Sequence, residues 1–99
     1  MTLSTHVLDT SVGRPAAGVP VRLDLHDAGW RTIVTGHTDD DGRISGWSAS
    51  EPGVYRLVFE VGGEFYPEVT VTFRVANAAD HYHVPLLISP FGYSTYRGS

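Results

Sequence analysis

His81-Tyr82-His83 sets two imidazoles two residues apart, and the side-chain period of a strand turns both to one face. Imidazole is the side chain best placed to move a proton near neutral pH. His6, on an earlier alternating segment, points opposite to Thr5 and Val7 and offers a third imidazole. Arg43 follows Gly42 at the start of another such segment. A guanidinium there is a natural clamp for a planar anionic heterocycle or a developing oxyanion. The chain closes on Tyr96-Arg97-Gly98-Ser99, which brings an aromatic ring, a cation and a hydroxyl to a position where chains commonly fray. Such an end is expected to be folded in and used.

Other chemistries fit these residues less well. His81 and His83 with His6 as a distant third ligand would make an open zinc site. Asp39-Asp40-Asp41-Gly42 departs from a calcium loop: aligned on Gly42, the first ligand would be His37 and the last Ser48. No Gly-x-Ser-x-Gly elbow supports Ser94 or Ser99 as a nucleophile. Asp9 reads as a turn or capping group, and His26 and His37 fall at or near strand ends.

The elements that must position these groups are strands. Period-two alternation marks Thr2–Leu8, Val19–His26, Trp30–Thr38, Arg43–Trp47, Val54–Val61, Glu68–Val75 and His81–Ile88, with Tyr93–Arg97 as an eighth. Gly13, Pro15 and Gly18 punctuate the first link, and Gly42 supplies the positive φ of a tight hairpin. No segment carries a helical period. Seven to eight short strands with regular turn signals predict an all-β antiparallel sandwich in one domain, residues 1–99.

Composition narrows the functions open to such a sandwich. The net charge is -4 and all seven cations are Arg, so no basic run suits nucleic acid. Cysteine is absent, which excludes disulfides and thiolate chemistry. No stretch approaches the roughly 20 apolar residues of a membrane span, and none has the form of a signal peptide. The expectation is a cytoplasmic protein. A 99-residue chain has little room for a deep pocket, which favours self-association.

Leu3-Ser4-Thr5-His6-Val7-Leu8-Asp9 with Gly13-Arg14-Pro15-Ala16 resembles the opening motif of the transthyretin-like proteins. Thr38-Asp39-Asp40-Asp41-Gly42-Arg43 resembles their mid-chain hairpin, and Phe65-Tyr66-Pro67-Glu68-Val69 the entry to a later strand. His81-Tyr82-His83-Val84-Pro85-Leu86-Leu87 and the closing Tyr96-Arg97-Gly98-Ser99 are similar to the family's hydrolase branch. The resemblance implies hydrolysis of 5-hydroxyisourate without metal or organic cofactor, in a homotetramer that is a dimer of dimers. It implies active sites at the dimer–dimer interface, with His6, Arg43, His83 and Ser99 catalytic and His6, Arg43 and Tyr96 binding substrate. His81 would stand behind them, and Arg97 would do so too or anchor the tail through carboxylates. One departure concerns the fold. Gly62-Gly63-Glu64 bridges strands that relatives join by a longer insert with a short helix, so that helix is expected to be missing. A ligand carrier and a structural surface module of the carboxypeptidase-regulatory type are the competing classes.

Overall fold

The computed structural model describes residues 1–99 and consists of two packed sheets without a helix. The strands are β1 (Thr2–Asp9), β2 (Arg14–Pro15), β3 (Pro20–His26), β4 (Trp30–His37), β5 (Arg43–Ser48), β6 (Gly53–Phe59), β7 (Val69–Val75), β8 (His81–His83), β9 (Leu86–Ser89) and β10 (Gly92–Thr95). One sheet runs β4-β3-β6-β7, antiparallel throughout. The other is built around β1, which pairs with β2, β5, β8 and β9, while β10 extends it beyond β9.

Alternation along the strands makes the core. Leu3, Thr5 and Val7 of β1 point inward against Val21, Leu23 and Leu25 of β3, Tyr55, Leu57 and Phe59 of β6, and Val69 and Val75 of β7. Tyr82, Val84 and Leu86 complete it from the six-stranded sheet. Full burial of such aliphatic and aromatic side chains is worth about 1.5–3 kcal/mol each. Thr5 is the one hydroxyl of β1 inside the core, and it donates to the Val84 carbonyl at 2.6 Å.

The sandwich matches expectation, with three differences in detail. There are ten strands rather than seven or eight, because Arg14–Pro15 forms a short bridge and the His81–Ile88 segment divides in two. Pro85 has no N–H to give the ladder, so pairing lapses there. Register nevertheless continues across the gap: Ser4 faces His83 and Val7 faces Leu86. The six-stranded sheet is also mixed rather than antiparallel. β8 and β9 lie parallel to β1, because the chain crosses over from β7 in the opposite sheet before it enters them. Finally, β10 ends at Thr95, before Tyr96 and Arg97.

The connection from Phe59 to Val69 is irregular and short. Gly62 takes φ 68° and its N–H bonds the Pro67 carbonyl at 2.9 Å, closing the loop on itself. Phe65 and Tyr66 pack edge to face there, and Phe65 meets Phe91 while Tyr66 meets Tyr93.

The outward face of the four-stranded sheet holds a buried charge that its alternation did not announce. Alternation with Leu23 and Leu25 turns Asp24 away from the core, yet only 1% of it is exposed. Arg56 donates to its carboxylate at 2.8 Å, Arg22 at 3.0 and 3.1 Å, and Thr32 at 2.9 Å. Arg56 also lies 4.3 Å over the Trp30 ring.

Candidate active site

The outward face of the six-stranded sheet collects the histidines. β1 turns Thr2, Ser4 and His6 outward because Leu3, Thr5 and Val7 are committed to the core. β8 turns His81 and His83 outward because Tyr82 is committed to it. The parallel register sets Thr2 beside His81 and Ser4 beside His83, and on the other flank of β1 the antiparallel register sets His6 opposite Arg43. One strand thus joins the groups that the sequence places at opposite ends of the chain.

Hydrogen bonds hold each imidazole. Thr2 Oγ1 lies 2.6 Å from His81 Nδ1, Ser4 Oγ lies 3.1 Å from His81 Nε2, and the same Ser4 Oγ lies 2.7 Å from His83 Nδ1. His6 Nε2 lies 2.9 Å from the Asp41 carbonyl. A carbonyl only accepts, so His6 Nε2 carries the hydrogen, and Nδ1 is the bare nitrogen of the neutral ring. His83 keeps Nε2 free of any protein partner.

The hairpin that supplies Asp41 and Arg43 is shaped by Asp39. Its Oδ1 accepts from the N–H groups of Asp41 and Arg43, each at 2.9 Å. Gly42 sits at φ 74°, as expected for the turn, and is buried against β1. A Cβ there would lie 2.5 Å from the Val7 carbonyl oxygen, so only glycine lets the turn approach. Arg43 emerges exposed and forms no salt bridge within the chain.

These neighbours tune His83. Burial pushes its pKa below the ordinary imidazole value, and repulsion by Arg43, and by a proton on His81 or His6, pushes the same way, against a hydrogen bond at Ser4. The ring is therefore held neutral at pH 7 and available as a proton acceptor. No three His, Asp or Glu side chains converge as metal ligands would.

The tail lies against β8. Gly98 N–H donates to the His83 carbonyl at 2.8 Å, and a Cβ on Gly98 would meet His83 Cδ2 at 2.5 Å. Arg97 does not reach a carboxylate. Its guanidinium stacks 4.5 Å from the Tyr82 ring centroid, on the inward side of β8. Tyr96 is exposed and lines a cavity of about 230 Å³ with Val71, Phe73, Tyr82 and Val84, again on that inward side. Ser99 follows, exposed and without a side-chain hydrogen bond. Within one chain, then, His6, Arg43, His81 and His83 come together, while Tyr96 and Arg97 sit across the strand from the imidazoles. Ser4, Thr2 and Asp39 belong to the site and were not singled out from sequence. Period two along Thr2-Leu3-Ser4-Thr5-His6 already put Thr2 and Ser4 on the His6 face; what sequence lacked was the strand beside them.

The chain matches the HIUase/Transthyretin family over residues 3–98. It is 49% identical to a 5-hydroxyisourate hydrolase of Salmonella dublin over 109 residues, covering 98% of this chain and 80% of that protein. It is 43% identical to a 5-hydroxyisourate hydrolase of Mus musculus over 111 residues, covering 98% and 94%. Both alignments exceed the 99 residues of this chain, so both relatives carry residues that it lacks. Among solved structures, Klebsiella pneumoniae 5-hydroxyisourate hydrolase superimposes with a TM-score of 0.86 at 37% identity, over 100% of both chains. Sea bream transthyretin in complex with thyroxine gives 0.88 at 32% identity, over 97% of this chain and 93% of that one.

Proposed function

The chain belongs to the HIUase/Transthyretin family, and from that premise we propose that it hydrolyses 5-hydroxyisourate to 2-oxo-4-hydroxy-4-carboxy-5-ureidoimidazoline. The observation that carries the reading is the open face on which His6 opposes Arg43 while His83, held neutral, stands on the neighbouring strand. Hydrolysis of a cyclic acyl-urea needs an activated water, an oxyanion partner and a proton for the leaving nitrogen. His83 Nε2 suits the first task and unpaired Arg43 the second. His6, whose Nε2 is tied to Asp41, has Nδ1 to pass a proton from the tetrahedral intermediate's hydroxyl to the leaving nitrogen. No metal or organic cofactor is required by this scheme.

Tyr96 is assigned to the substrate ring and Ser99 to a histidine or water. Tyr96, which lines the cavity beside Tyr82 and Val84, would reach the ring from the tail of a neighbouring subunit or by a local shift of this one; the homotetramer built as a dimer of dimers enters the reading from the family likeness. The reading also covers one hydrolase domain over residues 1–99 working in the cytoplasm; no helix of the chain is long and apolar enough to cross a membrane.

The test is the decay of 5-hydroxyisourate absorbance, with substrate generated in situ by urate oxidase. Acceleration by the purified protein is the expected result. The likeness to a thyroxine-bound transthyretin keeps a carrier role as the rival. Tight binding of an aromatic ligand with no turnover would establish the rival instead. Light scattering checks the tetramer.

A further inference from the structure

The geometry points to a proton relay, Thr2–His81–Ser4, that connects His83 to bulk solvent. This inference rests on the hydrolase reading above and assigns work to three side chains that reading leaves idle. The chain of contacts is continuous: Thr2 Oγ1 to His81 Nδ1 at 2.6 Å, His81 Nε2 to Ser4 Oγ at 3.1 Å, and Ser4 Oγ to His83 Nδ1 at 2.7 Å. Its outer end, Thr2 and His81, is exposed, and its inner end, His83, is half-buried.

A hydroxyl carries one hydrogen, so Ser4 donates to one imidazole and accepts from the other. The neutral rings are thereby locked in step. In one arrangement His83 Nδ1–H donates to Ser4, Ser4 donates to His81 Nε2, and His81 Nδ1–H donates to Thr2; His83 Nε2 is then bare. In the other every hydrogen points the opposite way and His83 Nε2 bears a hydrogen. Passage from the first to the second moves one proton through the chain without moving a heavy atom.

The reaction releases a proton that such a route can carry. Water supplies OH to the acyl carbon and a hydrogen to the leaving nitrogen, but the carboxylic acid formed is ionised at neutral pH, so each turnover releases one proton. The attacking water gives a proton to His83 Nε2 as its oxygen bonds the acyl carbon. His83 Nδ1–H passes to Ser4, Ser4's hydrogen to His81 Nε2, the His81 Nδ1 hydrogen to Thr2, and Thr2's to solvent. The hydroxyl hydrogen of the intermediate reaches the leaving nitrogen by way of His6 as the C–N bond breaks. His83 is reset when its Nε2 hydrogen passes to solvent water as product leaves and a solvent proton returns through Thr2, His81 and Ser4 to Nδ1, so that the turnover as a whole releases one proton.

Ser4→Ala and His81→Ala test the relay in the intact protein, with Ser4→Thr as the conservative control. Expected is a fall in kcat of about 10-fold or more for both alanine variants, a KM within about twofold of the parent, and recovery of kcat as imidazole buffer is raised, because a soluble base replaces the lost path. Ser4→Thr should retain most of the rate, and the parent's rate should not depend on buffer concentration. Parent-like kcat in both alanine variants, or a loss that neither buffer nor the threonine restores, overturns the relay. His83→Ala separates the two levels: if it is inactive while Ser4→Ala is unimpaired, the relay fails and the hydrolase reading stands; if His83→Ala is fully active, that reading of the site fails itself.

Discussion

Each sheet carries a cluster of charged and polar groups on its outward face, and the two clusters are built on opposite terms. On the four-stranded sheet, Asp24 is saturated. Arg56, Arg22 and Thr32 meet both carboxylate oxygens, and Trp30 covers Arg56. Burial would raise the pKa of Asp24, but the hydrogen bonds from Arg56, Thr32 and Arg22 outweigh it and hold the carboxyl below its ordinary value. On the six-stranded sheet, each group keeps something in reserve. His83 has a free Nε2, His6 has Nδ1, and Arg43 has no anion. A closed cluster locks strands together; an open one has valences left for a substrate. The fold places both types on the outward face of a sheet, so composition alone does not tell them apart. Completeness of pairing does.

The largest effects should come from the open cluster. His6→Ala, Arg43→Ala and His83→Ala are each expected to lower kcat/KM by about 10²-fold or more, with urea unfolding midpoints near the parent's. Deletion of Tyr96–Ser99 should do the same, since only the Gly98–His83 bond and the Arg97 stack tie that segment down. Equal losses of rate and stability in these variants would erase the distinction between the faces.

Arg56→Ala is the reciprocal case. It removes one of three donors to a buried carboxylate and is expected to cost about 2–3 kcal/mol in denaturant unfolding, with kcat/KM little changed. The Asp24 cluster also has an acid signature. Because its folded pKa is depressed, its stabilisation is present above the unfolded value and is lost as pH falls through the folded one. A pH series of urea melts reads that loss below about pH 4, and Asp24→Asn should flatten it.

A smaller effect sharpens the open side. The His83 pKa lies below the ordinary value near 6.5, so its imidazolium should appear only in more acidic solution. Arg43→Ala removes a repelling charge and should move the NMR-detected titration of His83 upward in pH. An unchanged or lowered midpoint would mean the guanidinium does not act on that ring. The same depression makes the unfolded chain bind the proton first, so His83 subtracts from stability as pH drops below about 6.5. The smallest effect is Gly98→Ala. Its methyl group would press on His83 Cδ2, and a loss of kcat/KM of several-fold with an intact fold is expected from the displaced ring or tail.

Most of the sandwich was legible because it rests on alternation. The strands containing Leu3, Leu23, Leu57 and Val71 were placed to within a residue or two at each end. What escaped were relations between strands distant in sequence. Pro85 was in plain view, but its effect depends on β1 being the strand it fails to bond. The parallel run of β8 along β1 follows from the crossover from β7 and has no local signal. His6, His81 and His83 were legible as candidates because imidazole is suited to proton transfer and their faces follow from period two, and Arg43 because a guanidinium follows the hairpin glycine. Ser4 and Thr2 are common strand residues, and only the register against β8 gives them meaning. Asp24 carries no local signal of its burial for the same reason: Arg56 is its cross-strand neighbour on β6, more than thirty positions away.

The alternation of β1 has a further consequence for how this chain tolerates change. Leu3, Thr5 and Val7 face the core from the same six-residue run that presents Thr2, Ser4 and His6 outward. A one-residue slip would bury the imidazole and hydroxyls and expose the apolar side chains. The hydrophobic core therefore acts as a proofreader of the site: a shift in reading along this strand is rejected as a folding defect before it can emerge as a misassembled enzyme. Point substitutions on the outward face escape that check. New chemistry can be explored there, one side chain at a time, while the inward residues keep the frame.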